Sequence, residues 1–124
     1  MKLIIAILLT ILTACGQTTK STTNKTKIDF DAVDHVEIKQ RLHDQTTVRL
    51  TDQQTEDFVA NWNNSKSEGL CKYMPTLWLT LTVKDGVTRT FRANGESIKE
   101  NNDWCFSIGD NDFFDHLWTE NQKE

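Results

Sequence analysis

The sequence predicts an α+β fold in which a mostly antiparallel sheet, with element order β-β-α-β-β-β-α, carries two helices packed on one face. Apolar and polar residues alternate over Leu77–Val83, which is typical of a strand with one buried face. Asp85 and Gly86 follow closely and favour a hairpin turn. Segments 51–64 and 110–118 carry apolar residues at helical spacing, so we expect the two helices there.

The folded part is expected to begin at residue 28 with a β-hairpin. Val36 and Ile38 lie on one face of the first predicted strand. Residues 43–46 form a polar turn, and Val48 begins a short second strand.

A capping box predicts where the first helix begins. Thr51 is expected at the N-cap and Gln54 at the third helical position, so that each side chain bonds the other's backbone N–H. Residues 63–65 end the helix, and residues 66–69 are expected to form a loop. The buried stripe of this helix comprises Phe58, Val59 and Trp62.

The apolar pattern also predicts the turn type of the central hairpin. A two-residue turn would place Leu81 opposite Thr90 and so mix polar residues into the leucine face. A three-residue turn with Gly86 at positive φ instead places Leu79 opposite Phe91. Because a slip of one residue inverts every side chain, we expect the second arrangement.

The C-terminal part predicts a further strand and the second helix. A turn is expected at residues 94–95, and Cys105 should lie on the opposite face from its strand neighbours, which are Trp104, Phe106 and Ile108. Asp110 is a suitable N-cap for the last helix. The apolar residues of that helix are Phe113, Phe114, Leu117 and Trp118.

The first residues resemble a bacterial secretory signal. A basic Lys2 precedes an apolar run over residues 3–12, which is too short for the roughly 20 residues of a membrane-spanning helix. The run leads into Leu12-Thr13-Ala14-Cys15, which resembles the lipobox of bacterial lipoproteins. An ordinary secretory signal with an unmodified cysteine is the alternative.

The lipobox resemblance implies a domain organisation and a location. Residues 1–14 would be a cleaved signal peptide, and Cys15 would carry a diacylglyceryl group, with the new amino terminus acylated, that anchors the chain in a membrane. Residues 17–27 contain no apolar side chain, so 15–27 are expected to form a disordered spacer before the single domain 28–124. The location would be the bacterial cell envelope, and in a Gram-negative cell the outer membrane facing the periplasm.

Cysteine count and charge limit the remaining chemistry. With Cys15 lipidated, Cys71 and Cys105 form an even pair, for which one disulfide is expected in an oxidising compartment. Four of the 14 basic residues but none of the 18 acidic ones precede residue 28, so the domain has ten basic and 18 acidic residues and a net charge of −8. This charge argues against nucleic-acid binding and permits a cationic protein partner.

No catalytic or metal-binding pattern stands out in the sequence. His35, His43 and His116 show no ligand-like spacing to either cysteine, and Cys-x-x-Cys is absent. His35 and Glu37 share a strand face but lack a paired nucleophile. We therefore expect no enzymatic activity, no metal and no cofactor.

One sheet face is the candidate binding surface. Trp78 points away from the leucine face, and the residues expected beside it are Thr80, Thr82, Thr88, Thr90 and Arg92. Tryptophan and arginine are enriched among the residues that dominate binding energy at interfaces. Alternatively, loops of the same chain cover Trp78, and the residue has no role in binding.

These observations favour a non-catalytic, lipid-anchored envelope protein whose domain binds another protein or an envelope component. An inhibitor or immunity lipoprotein against a cationic toxin or a wall-lytic enzyme is the first alternative. A small hydrolase or metal-binding protein is the second.

Overall fold

The computed structural model describes residues 25–40 and 46–122, and these residues form an α+β domain. A single 3₁₀ turn, Phe30–Ala32, precedes the first strand. The other elements, in chain order, are β1 (Val33–Lys39), β2 (Val48–Arg49), α1 (Asp52–Asn64), β3 (Lys66–Leu70), β4 (Leu77–Val83), β5 (Thr88–Asn94), β6 (Ser97–Lys99), β7 (Trp104–Ser107) and α2 (Phe113–Gln122). Within the described ranges, neither helix is long and apolar enough to cross a membrane.

The strands form one seven-stranded sheet in the order β2-β1-β4-β5-β6-β7-β3. Each of its neighbouring pairs is antiparallel. The α+β class and the antiparallel sheet predicted from the sequence are therefore confirmed. β2 and β3 form the two edges, so the last strand pair joins residues that are far apart in the chain.

Two strands were not predicted. The segment expected as a loop after α1 is strand β3, which pairs with β7, and β6 adds a further three-residue strand between β5 and β7. β3 is mostly exposed and therefore lacks the alternation that marks a half-buried strand. Its register shifts at Gly69, which has φ +88°. The segment becomes a strand because it pairs with a strand that is distant in sequence. The prediction of a loop at residues 66–69 was therefore wrong.

Both helices pack on the same face of the sheet. From α1, the rings of Phe58 and Trp62 contact Phe91 of β5 edge-to-face, with centroid distances of 5.3 and 5.0 Å. From α2, Phe114 and Leu117 belong to the same buried cluster. The apolar faces of β4 and β5 are therefore covered by both helices, as the sequence predicts.

The central hairpin has the predicted register. Leu79 lies opposite Phe91, and both side chains are completely buried. Gly86 has φ +98°, and its N–H donates to the carbonyl of Val83 at 2.9 Å. The apolar pattern therefore selects the three-residue turn.

The two helices begin differently. Thr51 caps α1 as predicted: its Oγ1 accepts the N–H of Gln54 at 3.1 Å, and the Gln54 side chain accepts the N–H of Thr51 at 3.0 Å. The predicted N-cap of α2 was wrong. Asp110 instead accepts the N–H of Asp112 at 2.9 Å in a turn, and the helix begins only at Phe113.

Candidate functional site

The sheet face opposite the helices, which we call the outer face, brings all six predicted binding residues together. Cross-strand pairing aligns them in three rows with residues of β1, namely Lys39–Trp78–Arg92, Glu37–Thr80–Thr90 and His35–Thr82–Thr88. Directly opposed residues on neighbouring strands have their Cβ atoms about 4.5–5.5 Å apart. The rows therefore form a continuous surface across β1, β4 and β5.

Exposure and bonding differ among the residues of this surface. Thr88 and Thr90 are exposed, and Trp78 is partly exposed. Arg92 also has a structural role, since its Nη2 donates to the carbonyl oxygens of Asn102 at 2.9 Å and Glu100 at 3.4 Å. The guanidinium group thus holds the loop between β6 and β7 while remaining on the outer face.

A disulfide-bridged segment covers the other half of the outer face. Cys71 and Cys105 form the expected disulfide, with their Cα atoms 6.0 Å apart. Tyr73 donates its hydroxyl to the carbonyl of Arg92 at 2.9 Å, and Asn94 donates to the carbonyl of Met74 at 2.8 Å. The segment between Cys71 and β4 is therefore fixed over β5 and β7, whereas Trp78 on β4 keeps part of its surface in solvent.

A buried lysine lies beneath this segment. Lys99 is 3% exposed, and its ammonium donates to Asp103 Oδ1 at 3.0 Å and to the Cys71 carbonyl at 3.3 Å. It also lies 4.4 Å from the ring centroid of Tyr73. The hydrogen bond and charge of Lys99 lower the pKa of Asp103, and burial raises the pKa of Tyr73 to about 12. These groups are tied to each other and hold the disulfide-bridged segment on the sheet.

His35 lies on the outer face next to an aspartate side chain. His35 and Glu37 share the outer face as predicted, and His35 Nδ1 lies 2.6 Å from Asp34 Oδ2, a contact that lowers the pKa of Asp34. Across residues 25–40 and 46–122, no group of three or more His, Cys, Asp or Glu side chains is placed to hold a metal ion. His43 and the predicted lipidation site Cys15 lie outside the described residues.

The negative charge lies mainly on the helical side of the domain. Residues 51–64 and 110–122 contain no lysine or arginine. Their acidic side chains are all exposed and comprise Asp52, Glu56, Asp57, Asp110, Asp112, Asp115 and Glu120. The outer face carries two cations, Lys39 and Arg92, and one carboxylate, Glu37. The excess negative charge found in the sequence is therefore on the opposite side from Trp78.

A cleft at one end of the sheet was not predicted. It has a volume of about 370 Å³ and is lined by Lys25, Thr26, Trp62, Glu100, Asn101, Asn102, Trp104 and Phe106. Trp104 was expected only as a strand residue on the face opposite Cys105, and Lys25 and Thr26 only in the spacer. No local pattern in the sequence could have shown the cleft, because its residues come from three distant parts of the chain.

Comparison of the chain with protein-family models, with curated proteins and with solved structures gives no significant match.

Proposed function

We propose that this chain is a lipid-anchored bacterial envelope protein whose domain is non-catalytic and binds another protein through the outer face of β1, β4 and β5. The observation that supports this most directly is the row Lys39–Trp78–Arg92 on the sheet face opposite the helices. A partly exposed indole beside an arginine is typical of the residues that dominate binding energy at protein interfaces.

The chemistry around Trp78 favours a particular kind of partner. Lys39 and Arg92 place a cation on each side of the indole, so an apolar group flanked by carboxylates is the complementary surface. The threonines beside them are β-branched and stiff at χ1, so ordering them in a complex costs little entropy. We therefore expect an envelope protein that presents an acidic rim around an apolar contact.

The inhibitor alternative would use a different surface. A cationic toxin or wall-lytic enzyme would be steered by charge toward the acidic helical side, which carries Asp57, Asp115 and their neighbours. Its affinity would fall steeply with added salt. The two functions therefore predict binding on opposite sides of the domain.

Site-specific cross-linking in intact cells of the native host separates these functions. A photo-reactive amino acid replaces Thr80 at the centre of the outer face, and in a matched variant it replaces the exposed Glu56 on α1. We expect one defined protein adduct from position 80, and its loss when Trp78→Ala is added. Adducts from position 56 alone would assign binding to the helical side, and absence of any adduct from position 80 would overturn the outer-face proposal.

The anchor is tested separately. The full chain, expressed with a labelled fatty acid, should carry the label and sediment with membranes. Cys15→Ser should abolish both, while Cys71→Ser should leave the label in place. An unlabelled wild-type chain would overturn the lipoprotein assignment without affecting the outer-face test.

A further inference from the structure

The cleft at the end of the sheet has the size of a small-ligand site. It lies between the segment at residues 25–26, the C-terminal end of α1, strand β7 and the loop that joins β6 to β7. Its volume of about 370 Å³ falls in the range of roughly 300–1,000 Å³ that is usual for ligand pockets. The site shares no predicted residue with the outer face and does not depend on the function proposed for that face.

Aromatic side chains form one wall of the cleft. Trp104 is partly exposed, whereas Trp62 and Phe106 are buried and lie edge-to-face with centroids 5.3 Å apart. Both indole N–H groups are already used: Trp104 donates to Ser67 Oγ at 2.7 Å and Trp62 to the Thr26 carbonyl at 2.9 Å. These bonds orient the two indoles, and the partly exposed Trp104 presents an apolar ring surface to the cleft.

The ammonium group in the cleft has its hydrogen bonds satisfied by neutral oxygen atoms. Lys25 Nζ donates to the carbonyl of Ser65 at 2.8 Å and lies 3.3 Å from the carbonyls of Trp62 and Asn63. These carbonyls belong to the C-terminal end of α1, where the helix dipole is negative. Burial lowers the pKa of Lys25, and the nearby Lys27 lowers it further.

The carboxylate in the cleft is paired with an arginine. Both oxygens of Glu100 accept hydrogen bonds from Arg89, at 2.7 and 2.8 Å. Such two-point pairs are among the stronger charge-assisted contacts in proteins. The cleft thus contains one cation and one anion whose hydrogen bonds are each satisfied by other protein groups, so neither is free to form a direct hydrogen bond to a charged ligand.

Uncharged hydrogen-bonding groups stand beside the aromatic wall. Asn102 accepts the N–H of Trp104 through Oδ1 at 2.8 Å, which orients its carboxamide. The exposed Asn101 side chain makes no hydrogen bond within the described part of the chain. A carboxamide offers two donors and one acceptor, which suits a hydroxyl group better than an ion.

We propose that this cleft binds a neutral saccharide, with an apolar C–H face of the sugar against Trp104 and its hydroxyl groups at Asn101 and Asn102. A fixed aromatic ring beside carboxamides matches a ligand that is apolar on one side and rich in hydroxyl groups at its edge. A cationic sugar would approach the Lys25 ammonium and an acidic sugar the Glu100 carboxylate. A neutral sugar meets neither repulsion.

Calorimetric titration of the full chain in detergent tests this site with four trisaccharides. The neutral probes are tri-N-acetylchitotriose and cellotriose, and the charged probes are chitosan trisaccharide and trigalacturonic acid. We expect saturable binding of at least one neutral probe, with both charged probes about tenfold weaker or worse. Stronger binding of a charged probe, or no saturable binding of either neutral one, would overturn the proposal.

Three variants locate the binding. Trp104→Ala should weaken binding of the neutral probe about tenfold, and Asn101→Ala, at an exposed position, should weaken it several-fold. Trp78→Ala on the outer face is the control and should leave the Kd unchanged. In the NMR spectrum the Trp104 indole signal should shift on titration. Binding that is insensitive to both cleft variants would place the sugar elsewhere and refute this site.

Discussion

Tyr73 donates its hydroxyl to the backbone carbonyl of Arg92 at 2.9 Å, and its ring lies 4.4 Å from the ammonium of Lys99. The first contact fixes the disulfide-bridged segment to β5. The second places the tyrosine ring over a lysine that is almost completely buried. The contacts of Tyr73 therefore determine where the covered part of the outer face ends and the exposed part begins. Several measurable properties of the protein depend on these contacts.

The titration of Tyr73 should report this packing directly. It is the only tyrosine in the chain, so the near-ultraviolet absorbance of tyrosinate follows this residue alone. Burial raises its pKa to about 12 from 10.0. Because the folded-state pKa is the higher one, the contribution to stability is complete below about pH 10 and is lost as the pH rises toward 12. A transition at the ordinary pKa in the folded protein would contradict the packing.

Replacing Lys99 should destabilise the domain. Lys99→Met removes the donors to Asp103 and to the Cys71 carbonyl, and we expect a loss of about 1–3 kcal/mol in the free energy of unfolding. Lys72→Met, at an exposed position, is the matched control and should change it by less than about 0.5 kcal/mol. Denaturant titration measures both, and equal values for the two variants would contradict a role for the buried ammonium.

The ion pair between Lys99 and Asp103 should also make the stability of the domain depend on pH in the acidic range. Lys99 lowers the pKa of Asp103 in the folded protein. The ion pair therefore stabilises the fold fully above the unfolded-state pKa of this carboxyl group. The stabilisation is lost as the pH falls through the lower pKa of the folded state. Asp103→Asn should therefore flatten the dependence of the unfolding free energy on pH in this acidic range. An unchanged slope would show that the carboxylate does not interact with Lys99 in solution.

Reduction of the disulfide should weaken the fold and free the segment that follows Cys71. Cys71 and Cys105 are separated by 34 positions in sequence, for which the chain-entropy relation gives about 3–4 kcal/mol. We expect a corresponding drop in the denaturation midpoint after reduction. Cys71→Ala with Cys105→Ala should show the same drop and no further effect of reductant. Faster amide exchange at Tyr73 would identify the released segment.

Lys25 should stabilise the C-terminal end of α1. That helix has no basic residue in its last turn, and the Lys25 ammonium supplies a cation 2.8 Å from the Ser65 carbonyl. Lys25→Met should therefore lower the unfolding free energy by about 0.3–2 kcal/mol. Lys27→Met is the control, because the Lys27 side chain is exposed. If both variants unfold at the same denaturant concentration, the capping contact has no energetic role.

Local rules in the sequence were sufficient for several elements. The capping box at Thr51 depends on residues three positions apart, and the turn at Gly86 depends on matching apolar faces across one hairpin. The same rules were insufficient where partners are distant. Strand β3 exists because β7 pairs with it, and Asp110 bonds Asp112 within a turn instead of capping the helix.

The two candidate binding surfaces also differ in how far the sequence predicted them. Alternation along β4 and β5 placed Trp78 and Arg92 on one face, and the cross-strand register agrees. It did not show that Arg92 also holds the loop at Asn102, or that the negative charge lies on the other side of the domain. The cleft was missed entirely, because Lys25, Trp62 and Trp104 meet only after the chain has folded.

By itself, then, the sequence determined the α+β class, the pairing of the central hairpin and the start of the first helix, since each depends on periodicity or on near neighbours. The lipobox resemblance at Cys15 also depends on a short local pattern and stays a prediction. Only the tertiary structure decided the strand order, the cover over half of the outer face and the existence of the cleft. These depend on contacts between residues such as Lys25 and Ser65, which are 40 positions apart in the chain.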